Sequence, residues 1–244
     1  MKKTHWMLLV LFGAASTLLR VWQNRTGFEE TGLAVRGNLP GLLLCAALAL
    51  AAVCFVLTSR GLPTQRDVAG GLADCFRFRR MIAVTCAVAG TFLTFAGAAS
   101  TVLGYARINN LLLAVFAIAA AASMLYATFA LYRGGEPQSL AMLVPVCCLA
   151  VYLVALYRAD AADPVLMHTY VELLATVGLT FTALERAAFS YRNGAPRIYL
   201  PASAMTVILS LAAAVDCRSV TSVLLFSGCA MIELGFLAAA DFNQ

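Results

Sequence analysis

The sequence predicts an all-α membrane protein, a polytopic bundle of transmembrane helices. Three observations carry that prediction. Of 244 residues, 62% are hydrophobic and 12% charged, and the mean hydropathy is +0.86, far outside the range of soluble globular domains. The hydrophobic residues fall in repeated runs close to the ~20 residues that a helix needs to cross a bilayer. No connection between runs is long enough to hold a soluble domain, so 1–244 reads as a single integral-membrane domain. Eight spans follow: 6–22, 39–57, 81–103, 111–131, 140–156, 165–189, 198–215 and 220–240.

The first run follows Lys2 and Lys3 and contains Ala14-Ala15-Ser16, small residues of the kind that a signal peptidase cleaves. It continues past them to Val21 and is bracketed by Trp6 and Trp22, an interfacial aromatic pair, so it reads as an uncleaved span. The connection 23–38 carries Thr26-Gly27 and Thr31-Gly32, two turn signals, and the adjacent acids Glu29 and Glu30, which read as solvated loop. After the second span, Val68, Leu72, Cys75 and Phe76 recur at helical spacing and lead into Arg77, Arg79 and Arg80. That pattern predicts a short helix on the membrane surface, with the arginines at anionic headgroups of the lipid bilayer.

Small residues line the next two spans: Ala83, Ala87, Thr91, Thr94 and Ala98 on one, Ala114, Ala117 and Ala121 on the other. Such stripes let helix backbones approach closely in lipid. Asn193-Gly194 with Pro196 marks a turn between spans six and seven. Orientation follows from the basic residues. With the N-terminus inside, eleven of them face the cytoplasm, and six (Arg20, Arg25, Arg36, Arg107, Arg158 and Arg218) face outward. The bias favours both termini in the cytoplasm and an integral protein of a bacterial cell membrane.

The residue inventory excludes several chemistries. Six of the eight cysteines sit inside apolar runs, where cysteine behaves as a small hydrophobe, and no C-x-x-C pair occurs. Two histidines, His5 and His168, are too few for a bis-histidine haem bundle or most metal clusters, so neither cofactor nor metal is expected. There is no Walker loop, G-x-S-x-G or H-E-x-x-H. Glu29-Glu30 and Arg36 have the residue types of the intramembrane CAAX-protease motif, but at longer spacing, in a loop, and without its histidines. The net charge of +5 sits at span ends, which speaks for orientation and headgroups rather than nucleic acid.

Charges inside the spans are the candidates for work, because ionisable groups in hydrocarbon are expensive. Span six carries His168, Glu172, Glu185 and Arg186. Depth arithmetic at the helical rise puts Glu185 and Arg186 at the cytoplasmic interface, where snorkelling satisfies both. Glu172 shares a polar face with Thr169, Thr176 and Thr180, has His168 one turn away, and lies near the level of Arg20 in span one. An Arg20–Glu172 ion pair is therefore expected. Glu233 lies near the middle of span eight, with no basic residue at its level, so hydroxyls of Ser203, Thr206 or Thr182 are its expected partners. An acid without a cation there would exchange protons. The leading functional reading is a small permease or transporter, with proton linkage as one form of it. A non-catalytic sensor or assembly component comes second. An intramembrane enzyme acting on a lipid comes last, because no nucleophile, metal or paired acids converge.

Overall fold

The computed structural model describes residues 3–29, 35, 37–62, 71–103, 108–160, 170–217 and 219–242. Within them the chain forms α1 (Lys3–Thr26), α2 (Leu39–Ser59), α3 (Leu72–Cys75), α4 (Met81–Leu103), α5 (Ile108–Tyr132), α6 (Ser139–Asp160), α7 (Tyr170–Ser190), α8 (Pro196–Asp216) and α9 (Val220–Ala239). Seven of these are long and apolar enough to cross a membrane. The remaining long helix, α7, spans 21 residues but carries Glu172, Glu185 and Arg186 and is not among the seven. The protein is an all-α, multi-span membrane helix bundle.

Its surface is inverted relative to a soluble protein. Met7, Ile82, Phe92, Leu112 and Val220 are exposed, whereas Arg20, Arg186, Glu233, Thr182 and Ser203 are buried. That arrangement suits a lipid exterior, where polar groups must find partners inside the protein. Hydroxyls do so within their own helices: Thr94 donates to the Gly90 carbonyl, Thr128 to Met124, Thr176 to Glu172 and Thr180 to Thr176. Pro145 lies inside α6 and cannot donate to the carbonyl one turn before it, that of Ala141. The Ser123 hydroxyl of α5 donates to that carbonyl instead. Asn38 caps α2 by accepting from Gly41 N–H at 3.1 Å, and Ser219 caps α9 by accepting from Ser222 N–H at 3.1 Å.

α8 is the hub, packing on α1, α2, α7 and α9. Its membrane window is 61% buried, against 17% for α2 and α6. From α4 the chain runs through α5 and α6 to α7, each packed on the next, and α9 lies between α4 and α8. The α4 stripe of Ala83, Ala87, Thr91, Thr94 and Ala98 is buried as expected, and α9 is the helix it receives. Backbones touch there. A methyl group on Gly90 would lie 2.6 Å from the Gly228 carbonyl oxygen, and one on Gly235 would lie 2.8 Å from the Ala87 Cβ.

One expectation is corrected at the end of the bundle where α9 terminates. Leu72, Cys75 and Phe76 do not form a lipid-facing stripe. α3 is a single turn, and all three side chains are buried in the protein. Arg77 N–H donates to the Ala239 carbonyl at 2.8 Å, and Asp241 N–H donates to the Cys75 carbonyl at 2.9 Å, so a β-bridge between Phe76 and Ala240 clips this segment to the end of α9. Phe76 then packs edge-on against Phe189, Tyr199, Phe236 and Phe242, with ring centroids 5.3–5.9 Å apart. Burying four aromatic edges on one ring outweighs what the segment gains from lipid, because aromatic pairs add to the burial itself. All eight cysteines are free.

The close α4–α9 contact makes a specific prediction. Gly228→Val is expected to force the helices apart and cost about 1–3 kcal/mol, as overpacking does. Gly13→Ala, where the nearest neighbouring atom is 3.9 Å away on Leu211, should leave the melting temperature unchanged or slightly raised. Thermal unfolding of both variants in the same detergent checks this.

Candidate functional site

Of the five acids and arginines that the sequence puts inside hydrocarbon-length helices, Arg20, Arg186 and Glu233 fall into two separate clusters, in which Asp216 is the fourth charge. The first lies where α1, α7 and α8 end together. Arg20 of α1 is fully buried, and its Nε donates to both carboxylate oxygens of Asp216, at 2.6 and 2.7 Å. Its Nη1 donates to Gln23 Oε1 at 2.6 Å, and Asn24 Nδ2 donates to Asp216 Oδ1 at 2.8 Å. The guanidinium also sits 4.9 Å from the Tyr170 ring centroid and 5.7 Å from that of Phe28. The carboxylate that Arg20 takes is thus Asp216 and not the expected Glu172. Depth matching gave the right level but not the neighbour: α1 packs along α8, which ends on Asp216, and α7 reaches Arg20 with the ring of Tyr170. Asp216 was overlooked because it falls one residue past the predicted end of its span.

The second cluster is deeper and centres on Glu233. Thr182 of α7 donates to Glu233 Oε1 at 3.0 Å, and Ser203 of α8 donates to Oε2 at 2.9 Å. Both hydroxyls are among the expected partners. The third, Thr206, is buried and fills the space over Gly178, at the α7–α8 contact. A cation is also present, contrary to expectation: Arg186 Nη2 lies 2.8 Å from Glu233 Oε1. The premise of an acid without a counter-charge therefore fails.

Two features of helix geometry explain the miss. Arg186 and Glu185 are sequence neighbours but point ~100° apart. Arg186 shares its face with Leu179, Thr182 and Ala183, all buried, while Glu185 is half-buried and sits by the backbone of Ala195. Arg186 and Glu233 also differ in depth by about six residues of rise, or ~9 Å between Cα levels. Helical side chains lean toward the N-terminus of their helix, and for α7 that direction is toward the bundle centre. A long arginine covers the gap. The buried face was the available sequence signal.

Above this pair is a cavity of ≈ 1050 Å³, bounded by α4, α5, α6, α7 and α9. Thr101, Arg158, Glu172, Ser219 and Ser222 line its mouth, and Arg186 and Glu233 line the opposite end. From Glu172 to Arg186 it runs about 21 Å along α7. Between mouth and floor the wall is mostly apolar, with Leu112, Phe116, Leu149, Leu179, Leu225 and Phe226, interrupted by Thr94, Tyr152 and Thr176. Beyond the floor stands the aromatic cluster. The Arg186 guanidinium lies over the Phe236 ring, 4.7 Å from its centroid, and Phe78 meets Phe236 edge-to-face at 5.2 Å between centroids.

Arg186 is not fully used by its partners. Its Nε and Nη1 are buried and have no hydrogen-bond partner among the described residues. Glu233, by contrast, has both oxygens engaged. His168 and Thr169 lie outside the described residues, so the expected His168–Glu172 contact does too. Among the described residues, no three His, Cys, Asp or Glu side chains come together as a metal site.

No protein-family model matches the chain, and neither curated proteins nor solved structures match it. It is a polytopic membrane protein. What it does has to be read from its own interior.

The Arg20–Asp216 pair predicts strong coupling. Arg20→Met or Asp216→Asn alone should cost roughly 3–5 kcal/mol, because each leaves one buried group uncompensated. The double variant should cost clearly less than the two together. Unfolding titrations of the four proteins in mixed micelles measure the cycle; additive costs would show that the pair is not a unit.

Proposed function

We propose that this protein is a small permease, with the cavity between α4–α7 and α9 as its solute path and the Arg186–Glu233 pair as its recognition point. One observation carries the reading: an elongated cavity with a polar mouth ends on a buried ion pair whose cation has donors to spare. An ion pair kept for architecture alone has little reason to border a large cavity, and intramembrane ionisable groups that line cavities mark solute and ion pathways in general. The volume also falls at the upper end of what small-molecule sites offer.

The same proposal fixes a direction. With eight crossings and both termini in the cytoplasm, as the arginine distribution favours, the mouth faces outward and the aromatic cluster closes the inner end. The clipped segment of Cys75 and Phe76 then forms part of an inner gate, since solute leaving past Arg186 must part these rings. Arg79 and Arg80 are exposed beside it, and Arg77 is half-buried. On this reading they meet anionic headgroups at the cytoplasmic surface.

Reconstitution tests the proposal. Purified protein in proteoliposomes should raise the flux of at least one small solute above that of empty liposomes. Leu225→Trp, which fills the cavity without touching the ion pair, should return the flux to background while the melting temperature holds. Flux indistinguishable from empty liposomes across neutral, cationic and anionic solutes would remove the transport reading. A stoichiometric protein partner recovered with that inactive protein would favour an assembly component instead.

A further inference from the structure

The floor of the cavity is asymmetric, and the asymmetry selects a class of solute. A carboxylate accepts and a guanidinium only donates. Glu233 has its oxygens taken by Thr182, Ser203 and Arg186, whereas Arg186 retains Nε–H and Nη1–H without acceptors among the described residues. What this floor lacks is an acceptor. A cationic solute would find the carboxylate already engaged and a guanidinium repelling it. An anionic headgroup, carboxylate, phosphate or sulfonate, would supply the missing acceptor, and it completes a two-point fork at either edge of the guanidinium by taking Nη2–H over from Glu233 together with Nε–H or Nη1–H. The walls add a second condition. Between the Glu172 level and Arg186, about 21 Å along α7, a compact hydrophilic anion would meet mostly apolar side chains and no cationic group.

Charge balance adds a third. Seating a second anion beside Arg186 leaves two negative charges on one cation in a low-dielectric interior, which is costly. The groups facing Glu233 are Arg186 and Thr182 from α7 and Ser203 and Tyr199 from α8. Cys229 lies one turn before it on α9, and α4 brings no charged residue and only the thiol of Cys86. Among the described residues no second cation is at hand there. The balance closes when Glu233 takes a proton delivered from the bulk solution through the cavity as the anion displaces it from Arg186. The neutral carboxyl then keeps its hydrogen bonds with the hydroxyls of Thr182 and Ser203, each of which can donate or accept. Once the anion departs on the other side, the proton returns to water and the ion pair re-forms.

We infer that the solute is a single-chain amphiphilic monoanion, its headgroup on Arg186 and its chain along the apolar wall, carried together with one proton that resides on Glu233. This rests on the permease reading and assigns its solute class and coupling.

The probe is octanesulfonate, which stays ionised at all working pH values and so brings no proton of its own. In proteoliposomes with a trapped pH dye, wild type should take it up with acidification of the lumen, about one proton per anion, as the balance of charges requires. Octyltrimethylammonium, with the same chain and opposite charge, and methanesulfonate, with the same headgroup and no chain, should give background signals. The charge-balanced variant Arg186→Met/Glu233→Met is expected to fold, since replacing both members of a buried pair by apolar residues is tolerated, and its octanesulfonate uptake should fall to background. Glu233→Gln should abolish the accompanying proton movement, and whatever uptake it retains should respond to membrane potential.

Uptake of the ammonium compound, or unchanged proton coupling in Glu233→Gln, would overturn the inference. If other solutes pass and Leu225→Trp blocks them while octanesulfonate does not pass, the permease reading stands and the solute class falls. If nothing passes, yet octanesulfonate raises the melting temperature of wild type and not of the double variant, the anion site stands and transport falls.

Discussion

Buried charge in a lipid-facing bundle must be compensated from within, and the Arg186–Glu233 pair is where that constraint ties the fold together. The carboxylate draws on three helices at once: Glu233 itself is on α9, Arg186 and Thr182 are on α7, and Ser203 is on α8. In hydrocarbon a missing partner leaves a group with no water to replace it. The relative rotation and depth of α7, α8 and α9 are therefore fixed by the pair and its two hydroxyls, more sharply than by apolar contact, which tolerates sliding. Phe236, one turn beyond Glu233, is placed by the same constraint under the guanidinium, and it meets Phe76, the ring on which the aromatic cluster centres.

The cavity follows from how the remaining helices meet this triad. α4 lies against α9 because Gly90, Gly228 and Gly235 remove the side chains that would keep them apart. α5 and α6 continue the chain from α4 to α7 without filling the space in front of α9, and the small residues Ala114, Ala117, Ala120 and Ala121 of α5 face that space. Pro145 bends the logic of α6 at the same place. It frees a carbonyl that Ser123 must take up, and Pro145 itself lines the cavity. Close packing on one side and small residues on the other thus produce an opening in an otherwise apolar bundle.

The span pattern was legible because apolar runs of bilayer length have few alternative explanations, and seven of the eight expected runs satisfy length and apolarity as helices. The α4 stripe was legible for a related reason: small residues at helical spacing leave little choice but a close helix neighbour. Depth along the membrane was also readable, since rise per residue converts sequence to level. It gave Thr182 and Ser203 as partners of Glu233. Lateral arrangement was not readable. Nothing in one sequence says that α1 packs along α8, so Arg20 was matched with Glu172 when Asp216 was the acid beside it. Side-chain reach was the second gap: a Cα level places Arg186 at the interface, although its face and its lean toward the helix N-terminus carry the guanidinium inward. The segment around Phe76 failed for a third reason. Its apolar spacing is the same whether it lies on lipid or on protein, and only the bridge to Ala240 decides.

The two buried arginines allow architecture and function to be told apart. Arg20 has the environment of a structural tie. Its Nε spans both oxygens of Asp216, its Nη1 reaches Gln23, aromatic rings flank it, and Asn24 supports the same carboxylate from one turn along α1. No nitrogen of Arg20 is left over, although Asn24 Oδ1 beside it has no partner among the described residues, and any anion would have to break hydrogen bonds to reach the guanidinium. Arg186 has one carboxylate oxygen, one aromatic face and two buried donors left over, at the border of a cavity. Selection for stability alone tends to fill such donors, because each unsatisfied group carries a desolvation cost. Retaining them beside an open volume is stabilising only in the presence of something that accepts from them. The difference between a completed arginine and an incomplete one, within the same bundle, is the ground on which the cavity is proposed as a site and the Arg20 cluster is not.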